Sequence, residues 1–212
     1  MFFVMLMAAV LGACARPAGD RPRAAYDQDT GRLARLEYDA SRNGRNDAVA
    51  IMDGTRVLHI EVDLTENGKT DRWDFYTPER QLEKVGFSRL DDGVMDAVAF
   101  YDAAGDLERM EISTSRDGRF NRVEFYRAGV LEASEEDSNG DGRADRWETY
   151  VPNPGHAAGE PPYAIASAAF DDTGRGTPNR QFTYTGGAIT RVEVDADGDG
   201  TFILQPSPAS GR

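Results

Sequence analysis

The feature of this chain that most constrains its fold is an internal repeat with a period of about 24 residues, which lies in the range of repeat architectures. Seven times a glycine follows an Asp or Ser by five positions, and the units start at Asp39, Asp63, Ser88, Ser113, Asp137, Asp171 and Asp195. One interval is longer than the others because it contains a Pro-rich insertion at 151–163. A period held this closely predicts an array of similar supersecondary units.

Each unit contains two short segments in which apolar and polar residues alternate. The first begins three or four residues beyond the glycine, as in 71–76, and the second ends just before the next unit, as in 58–62. Alternation with period two, enriched in aromatic and β-branched residues, is typical of half-buried β-strands. We therefore predict an all-β fold, an antiparallel meander of β-hairpins with about thirteen strands.

Alternation gives every strand an apolar side and a charged side. We expect the apolar residues of both segments to share one face of the sheet and the charged residues to share the other. The residues predicted to point inward include Trp73, Phe75, Phe100, Phe125 and Trp147. Because an apolar face must be covered, we expect the sheet to curl or fold onto itself and bury that face.

The turns within the units carry a second motif. Residues 101–107 read Tyr-Asp-Ala-Ala-Gly-Asp-Leu, and residues 26–33 read Tyr-Asp-Gln-Asp-Thr-Gly-Arg-Leu. Glycine supplies the positive φ that a hairpin turn requires. The motif resembles the Tyr-Asp repeats, of the RHS type, of bacterial surface and toxin-shell proteins. The resemblance covers the turns only and implies no toxin function.

The turns between units indicate calcium chemistry. In residues 137–148, oxygen-bearing side chains occupy positions 1, 3, 5, 9 and 12, and glycine occupies position 6. This spacing resembles the EF-hand calcium loop, which wraps oxygen ligands around the ion. Its flanks are predicted strands, so it is closer to the calcium loops of dockerin-like or thrombospondin-like repeats. The ligands implied by the resemblance are Asp137, Asn139, Asp141, Asp145 and Glu148, with the backbone carbonyl of Arg143.

A second loop carries a similar set of candidate ligands, and the remaining loops depart from the pattern. The second set is Asp63, Thr65, Asn67, Asp71 and Asp74. The loop that starts at Asp195 has only the first three ligands, Asp195, Asp197 and Asp199. Asp, Asn, Ser and Gly also make good Asx-type turns without any ion. The sequence therefore leaves both a calcium loop and a metal-free turn open.

The start of the chain predicts export. Met1–Leu11 is an uncharged apolar run. It is shorter than the ~20 residues that a membrane-spanning helix needs, and it is typical of a secretory signal. The following Leu-Gly-Ala-Cys at 11–14 resembles the bacterial lipobox, which implies lipidation of Cys14 in the cell envelope. In a Gram-negative organism Ala15 would favour the outer membrane.

The cysteine content agrees with that interpretation. Cys14 is the single cysteine of the chain. No intrachain disulfide can therefore form, and no cysteine-based metal site can be built. Lipidation gives this one thiol a purpose.

These expectations divide the chain into four parts. They are a signal peptide at 1–13, a lipidated tether at 14–24, a repeat domain at 25–204 and a disordered tail at 205–212.

Composition and motifs argue against two classes of function. Asp and Glu number 37 against 24 Lys and Arg, a formal net charge of −13. Nucleic-acid binding needs a basic surface, so we expect no nucleic-acid partner. The two histidines, His59 and His156, are not grouped with a nucleophile. No phosphate loop or zinc spacing occurs. Adjacent acids such as Glu135 and Glu136 point to opposite faces of a strand, so we expect no enzyme.

Three functions remain as hypotheses. The first is a calcium-stabilised, lipid-anchored repeat protein that serves as a surface scaffold or binding module for an envelope protein or polysaccharide. The second is a metal-free envelope protein that docks another protein through its charged sheet face. A carbohydrate-active enzyme is a distant third.

Overall fold

The computed structural model describes residues 22–206, and in this range the chain forms only strands and turns. No helix among these residues is long and apolar enough to cross a membrane. Cys14 and the signal peptide lie outside the described residues, as do 207–212. The strands are β1 (Arg23–Tyr26), β2 (Leu33–Tyr38), β3 (Ala48–Asp53), β4 (Arg56–Val62), β5 (Arg72–Tyr76), β6 (Leu82–Phe87), β7 (Ala97–Tyr101), β8 (Leu107–Ile112), β9 (Arg122–Arg127), β10 (Val130–Glu136), β11 (Arg146–Pro152), β12 (Tyr163–Phe170), β13 (Arg180–Thr185), β14 (Ala188–Val194) and β15 (Ile203–Leu204).

All fifteen strands belong to one open antiparallel sheet in which spatial order equals chain order. The predicted all-β hairpin meander is therefore confirmed, with fifteen strands where about thirteen were expected. The end strands β1 and β15 each pair on one side only, and the substantial contacts between strands join neighbours in the ladder. The expectation that the sheet folds onto itself is wrong, because the sheet is a single layer.

Each of the seven hairpins contains a register shift beside its Tyr-Asp turn or the equivalent turn. In the hairpin of β5 and β6, Tyr76 pairs with Leu82 but Phe75 pairs with Lys84, so one residue of β6 is extra. Such a β-bulge shifts the cross-strand pairing of every residue beyond it by one position, so side chains that would otherwise lie on the same face lie on opposite faces. Without the shift Trp73 would face Val85, whereas it faces Gly86. The connections between hairpins show no such shift.

The bulges explain why the predicted segregation of apolar and charged residues is wrong. Directly paired residues share a face of the sheet. Phe75 of β5 pairs with Lys84 of β6, which pairs with Phe100 of β7, so aromatic and charged residues alternate across the same face. The opposite face mixes residues in the same way, since Asp74 pairs with Val85. Neither face is wholly apolar, which is why a single layer is compatible with this sequence.

Burial nevertheless distinguishes the two faces. We call the face that carries Ala50, Val85 and Ala99 the alanine face, and the one that carries Phe75 and Phe100 the aromatic face. Of the nine buried hydrophobic residues, eight lie on the alanine face: Ala48, Ala50, Val85, Ala97, Ala99, Ile112, Leu131 and Ala168. Only Val98 belongs to the aromatic face.

The predicted inward aromatic residues thus share a face as expected, but that face is the more exposed one. None of Trp73, Phe75, Phe100, Phe125 and Trp147 is fully buried, and Phe125 is 37% exposed. In a single layer, short side chains are shielded by longer neighbours on the same face, whereas a large ring would need a second layer to cover it.

Gly86 marks a close approach on the aromatic face. It lies between Trp73 and Val98 in the register. A Cβ added at Gly86 would come within 2.7 Å of the Met95 sulfur, so the Met95 side chain occupies the space above the glycine. This packing accounts for a glycine within β6.

Candidate functional site

The seven turns between hairpins lie along one edge of the sheet, because each of them follows an even-numbered strand. We name these loops after their first residues, 39, 63, 88, 113, 137, 171 and 195. The loops are stacked through the backbone. The amide of Asp137 donates to the carbonyl of Asn121 at 2.8 Å, and the amide of Asp171 donates to the carbonyl of Asp145 at 2.9 Å. The same bond joins position 1 of the other loops from 63 onward to position 9 of the loop before.

In the five loops that begin with Asp, the position-1 carboxylate accepts hydrogen bonds from amides of its own loop. Asp137 accepts hydrogen bonds from the amides of Gly140 (2.7 Å), Asp141 (3.2 Å) and Gly142 (2.9 Å). Asp63 accepts in the same way from Asn67 at 3.1 Å and from Gly68 at 2.7 Å.

Position 6 is glycine in every unit because the backbone there turns through the left-handed region. The φ angle is +90° at Gly142 and +86° at Gly68, and it is positive at all seven of these glycines. Residues with a Cβ rarely adopt this conformation. The glycine repeat that predicted the fold is therefore a consequence of this turn geometry.

The predicted position-9 ligands serve as internal caps. Asp145, 8% exposed, accepts hydrogen bonds from the amides of Ser138 at 3.1 Å and Asn139 at 3.0 Å. Asp71, 4% exposed, accepts from the amide of Thr65 at 2.8 Å and from the Thr65 hydroxyl at 3.0 Å. These carboxylates hold the start of their loops in place, and the Thr65 hydroxyl and amide both donate to the same oxygen of Asp71.

The predicted position-12 ligand of the 137 loop lies within a strand. Glu148 is in β11 on the alanine face, and its carboxylate is surrounded by donors of the sheet. The donors are the Tyr150 hydroxyl at 2.5 Å, the Ser134 hydroxyl at 3.2 Å, Arg122 at 3.2 Å and Arg146.

The position-12 ligand of the 63 loop is placed in the same way. Asp74 is in β5 and accepts from Arg72 Nε at 2.6 Å. The structure does not bring Asp74 or Glu148 together with the other predicted ligands of its loop.

The environment of Glu148 favours its charged form. Burial opposes ionisation, but the hydrogen bonds from Tyr150 and Arg146 and the charges of Arg146 and Arg122 outweigh it. The pKa of Glu148 is consequently held below its ordinary value. Burial and the neighbouring Glu148 raise the pKa of the Tyr150 hydroxyl, which stays a donor.

Among residues 22–206, the only group of three or more acidic, His or Cys side chains with potential ligand atoms within 4.8 Å is Asp195, Asp197 and Asp199. Asp195 accepts from the amides of Gly198 at 2.7 Å and Gly200 at 3.0 Å. The sequence carried a signal for this loop, since it is the only one with Asp at positions 1, 3 and 5. Carboxylate oxygens are ligands that Ca²⁺ prefers, so the donor set suits a calcium ion.

The 137 loop brings its first three predicted ligands together without such a carboxylate group. The amide of Asp141 lies 3.2 Å from Asp137 Oδ1 and 2.9 Å from Asn139 Oδ1, so both oxygens approach one nitrogen. Asp141 itself accepts from the amide of Arg143 at 2.9 Å. An open groove of about 590 Å³ separates this loop from the 113 loop, with Arg119, Phe120 and Asn139 among its lining residues.

Neither a family model nor a curated protein sequence matches the chain. Solved structures match in part. The pneumococcal O-GlcNAc transferase GtfA in complex with UDP and GlcNAc is 11% identical, with 51% of this chain and 19% of that chain covered and a TM-score of 0.37. Accessory secretory protein 1,2 and 3 in Streptococcus pneumoniae is 18% identical, with 56% of this chain and 20% of that chain covered and a TM-score of 0.38. The GtfA/B complex is 12% identical, with 57% of this chain and 19% of that chain covered and a TM-score of 0.34. The match spans about a fifth of each of those chains and is too distant to bear on function.

Proposed function

We propose that this chain is a lipid-anchored protein of the bacterial cell envelope whose sheet serves as a surface scaffold or binding module. The observation that carries the proposal is the open single-layer sheet of fifteen strands, which leaves both broad faces accessible to a partner. Repeat architectures of this kind offer extended binding surfaces that a compact domain of similar length lacks. The anchor is the lipobox-like sequence that ends at Cys14.

Calcium stabilisation of the loop edge is part of this proposal. The 195 loop is the strongest candidate, because three carboxylates converge there without an arginine partner among their hydrogen bonds. The 137 loop follows, with Asp137, Asn139, Asp141 and the carbonyl of Arg143. The 63 loop is weaker, because it offers one carboxylate, Asp63, beside Thr65 and Asn67.

A metal-free envelope protein is the second candidate, and one observation favours it. Every loop carboxylate described above already accepts hydrogen bonds from the amides of its own loop, so the turns can close without an ion. This candidate would dock another protein through the charged residues of the sheet, which lie on both faces. It needs no calcium, and a calcium titration therefore separates it from the first candidate.

The anchor is tested by expressing the full chain and its Cys14→Ser variant in a Gram-negative host. We expect the unaltered chain in the membrane fraction, with a lipid-modified Cys14 as its first residue in mass spectrometry. We expect the variant to leave the membrane fraction. An unaltered chain that keeps Met1, or that is cleaved beyond Cys14, would contradict the proposal.

A further inference from the structure

One row of the aromatic face carries four aromatic rings and two cations across six consecutive strands. Its members pair directly in the register, each with the next: His59, Phe75, Lys84, Phe100, Arg109 and Phe125. We call this row the Phe–cation stripe. It exists because the bulge in each hairpin sets the apolar residue of one strand opposite the charged residue of the next.

The rings and cations of the stripe are in mutual contact. The His59 and Phe75 ring centroids are 5.5 Å apart. Lys84 Nζ lies 5.2 Å from the Phe75 centroid and 6.0 Å from that of Phe100, and Arg109 Cζ lies 4.2 Å from the Phe100 centroid. These are cation–π distances, which fix the cations in place beside the rings.

The stripe is partly exposed and partly uncompensated in charge. Phe125 is 37% exposed, and the Arg109 side chain is 39% exposed. Arg109 is paired with Glu111 at 3.2 Å, and the His59 ring lies 3.2 Å from the Glu61 carboxylate. Lys84 has no ion pair with an acid in the described part of the chain, although the protein as a whole carries an excess of 13 negative charges. A ligand with acidic groups would supply the missing partner.

The spacing of the stripe is regular. Neighbouring strands lie ~4.8 Å apart, so Phe75, Phe100 and Phe125 recur every ~9.6 Å, and so do Lys84 and Arg109. A regular surface fits a polymer that repeats with the same period. Two sugars of an extended polysaccharide have a comparable length, and sugar rings stack on exposed aromatic rings through their apolar C–H faces.

We propose that the Phe–cation stripe binds a linear polysaccharide that carries an acidic group on its sugars, laid across the strands. Phe125, the most exposed ring of the stripe, stacks on a sugar, and Lys84 and Arg109 pair with the acidic groups. Single-stranded nucleic acid also combines stackable rings with negative charge. It is disfavoured because the stripe offers only two cations, Lys84 and Arg109, about 9.6 Å apart, which is sparser than one phosphate per nucleotide requires.

This inference rests on the proposed function only because a location in the cell envelope would bring the stripe into contact with such polymers. Binding is therefore measured with the purified full chain in mild detergent, so failure of the Cys14 anchor leaves the result unaffected. The probes are fluorescent oligosaccharides of hyaluronate and of polygalacturonate, with cellohexaose as the neutral chain and an oligothymidylate as the nucleic acid.

The matched control comes from another repeat. Arg191 occupies the same place in its hairpin as Arg109 does, and it pairs with Glu193 at 2.7 Å as Arg109 pairs with Glu111. Its cross-strand neighbour is Thr183 rather than a phenylalanine. The Arg191→Gln variant thus removes an equivalent charge from the same face without touching the stripe.

We expect at least one acidic oligosaccharide to bind, and to bind less tightly as salt is raised. The double variant Lys84→Gln, Arg109→Gln should bind about tenfold less tightly, while Arg191→Gln binds as the unaltered chain does. Unchanged far-UV circular dichroism shows that the variants are folded. The proposal is overturned if neither acidic probe binds, if cellohexaose or oligothymidylate binds as tightly, or if Arg191→Gln weakens binding as much as the double variant.

Discussion

Two regions of the alanine face bury the same row of the sheet with opposite chemistry. In the N-terminal region the row holds Ala50, Val85 and Ala99, each no more than 4% exposed. In β10 and β11 it holds Ser134 and Glu148, which are 2% and 3% exposed. An unbroken series of register pairs connects the two regions. The backbone is alike in both, so the side chains alone make the difference.

The comparison shows how a single layer can hide a residue at all. A small apolar side chain needs only longer neighbours to shield it from water. A carboxylate needs in addition a donor for each oxygen, because an unpaired buried charge is costly. Glu148 meets that condition through two arginines and two hydroxyl groups. The apolar region should therefore be sensitive to lost volume and the polar region to a lost partner.

The largest effect is expected where the polar region is broken. Glu148→Ala leaves Arg122 and Arg146 without their buried acceptor and should lower the free energy of unfolding by about 3–5 kcal/mol in urea denaturation. The control is Glu193→Ala, which removes the acid of a pair whose Arg191 side chain is 55% exposed. Loss of such an exposed pair should cost only about 0–1 kcal/mol. Similar losses in both variants would show that burial of the network does not matter.

The apolar region is tested by shortening a fully enclosed side chain. Val85 is 0% exposed. Val85→Ala removes two carbons and leaves a small cavity, so we expect a loss of about 2 kcal/mol in the free energy of unfolding. Val130 offers the same change at a residue that is 40% exposed. The effect of Val130→Ala should stay within about 0.5 kcal/mol, and equal effects would mean that the alanine face is not the packed one.

The contrast between the two faces predicts an intermediate effect. Phe100→Ala should cost about 1–2 kcal/mol, since the ring is only partly covered, against the ~3–5 kcal/mol typical of a buried phenylalanine. The same urea denaturation measures it. A loss of about 4 kcal/mol would instead restore the original expectation that the aromatic residues point inward.

Calcium binding allows the loops along the edge of the sheet to be compared with one another. Carboxylates at both positions 1 and 5 occur in the 137 and 195 loops, whereas the 39 and 63 loops have Asn at position 5. At a concentration ten times its Kd, calcium would raise the free energy of unfolding by about 1.4 kcal/mol and the melting temperature by about 3–5 °C. Asp195→Asn with Asp199→Asn should remove most of the rise, and Asp137→Asn with Asp141→Asn less.

Two outcomes of the calcium titration would count against a calcium site. One is a melting temperature that millimolar Ca²⁺ leaves unchanged in the unaltered chain. The other is a rise that Mg²⁺ matches, because Mg²⁺ demands a stricter geometry and gives up its water reluctantly, so an equal rise is general screening of negative charge. Either outcome favours the metal-free envelope protein.

The smallest expected effect is on the stability of the protein at low pH. Burial opposes ionisation of Asp171, but hydrogen bonds from Thr173 and from the Gly176 amide lower its pKa from 3.8 to about 2. A pKa lowered by folding adds stability that is complete above the unfolded value and is lost as pH falls through the folded value. The unaltered chain should therefore lose stability between about pH 4 and pH 2. In urea denaturation measured across these pH values, the Asp171→Asn variant should lose less stability than the unaltered chain. The same pH dependence in both proteins would show that the lowered pKa of Asp171 does not stabilise the fold.

The sequence predicted the hairpins, their order and the sites of the turns, because period-two alternation and positive-φ glycines are local signals. It did not predict which residues share a face. That depends on one extra residue in each hairpin, and Leu82-Glu83-Lys84 reads as regular alternation whether or not Glu83 is that residue. A single such shift places Gly86, and not Val85, opposite Trp73.

The candidate metal site shows the same limit. Residue types at EF-hand spacing identified the loops, but the spacing says nothing about competing partners. Glu148 matched position 12, yet Tyr150 and two arginines of the strands surround its carboxylate. Ligand spacing is a one-dimensional signal, whereas the partners of Glu148 come from three strands.

Strand order equal to chain order has a mechanical consequence. If one end of the chain is held at a membrane and a partner pulls on the other, tension runs along the ladder and reaches the strands one after another. None of the fifteen described strands is clamped between two distant parts of the chain, so hydrogen bonds open in sequence as in a zipper and are not sheared together. Each repeat of about 24 residues would release roughly 80 Å of extended chain. The protein would yield stepwise and re-form stepwise, as an extensible element between an anchor and its load.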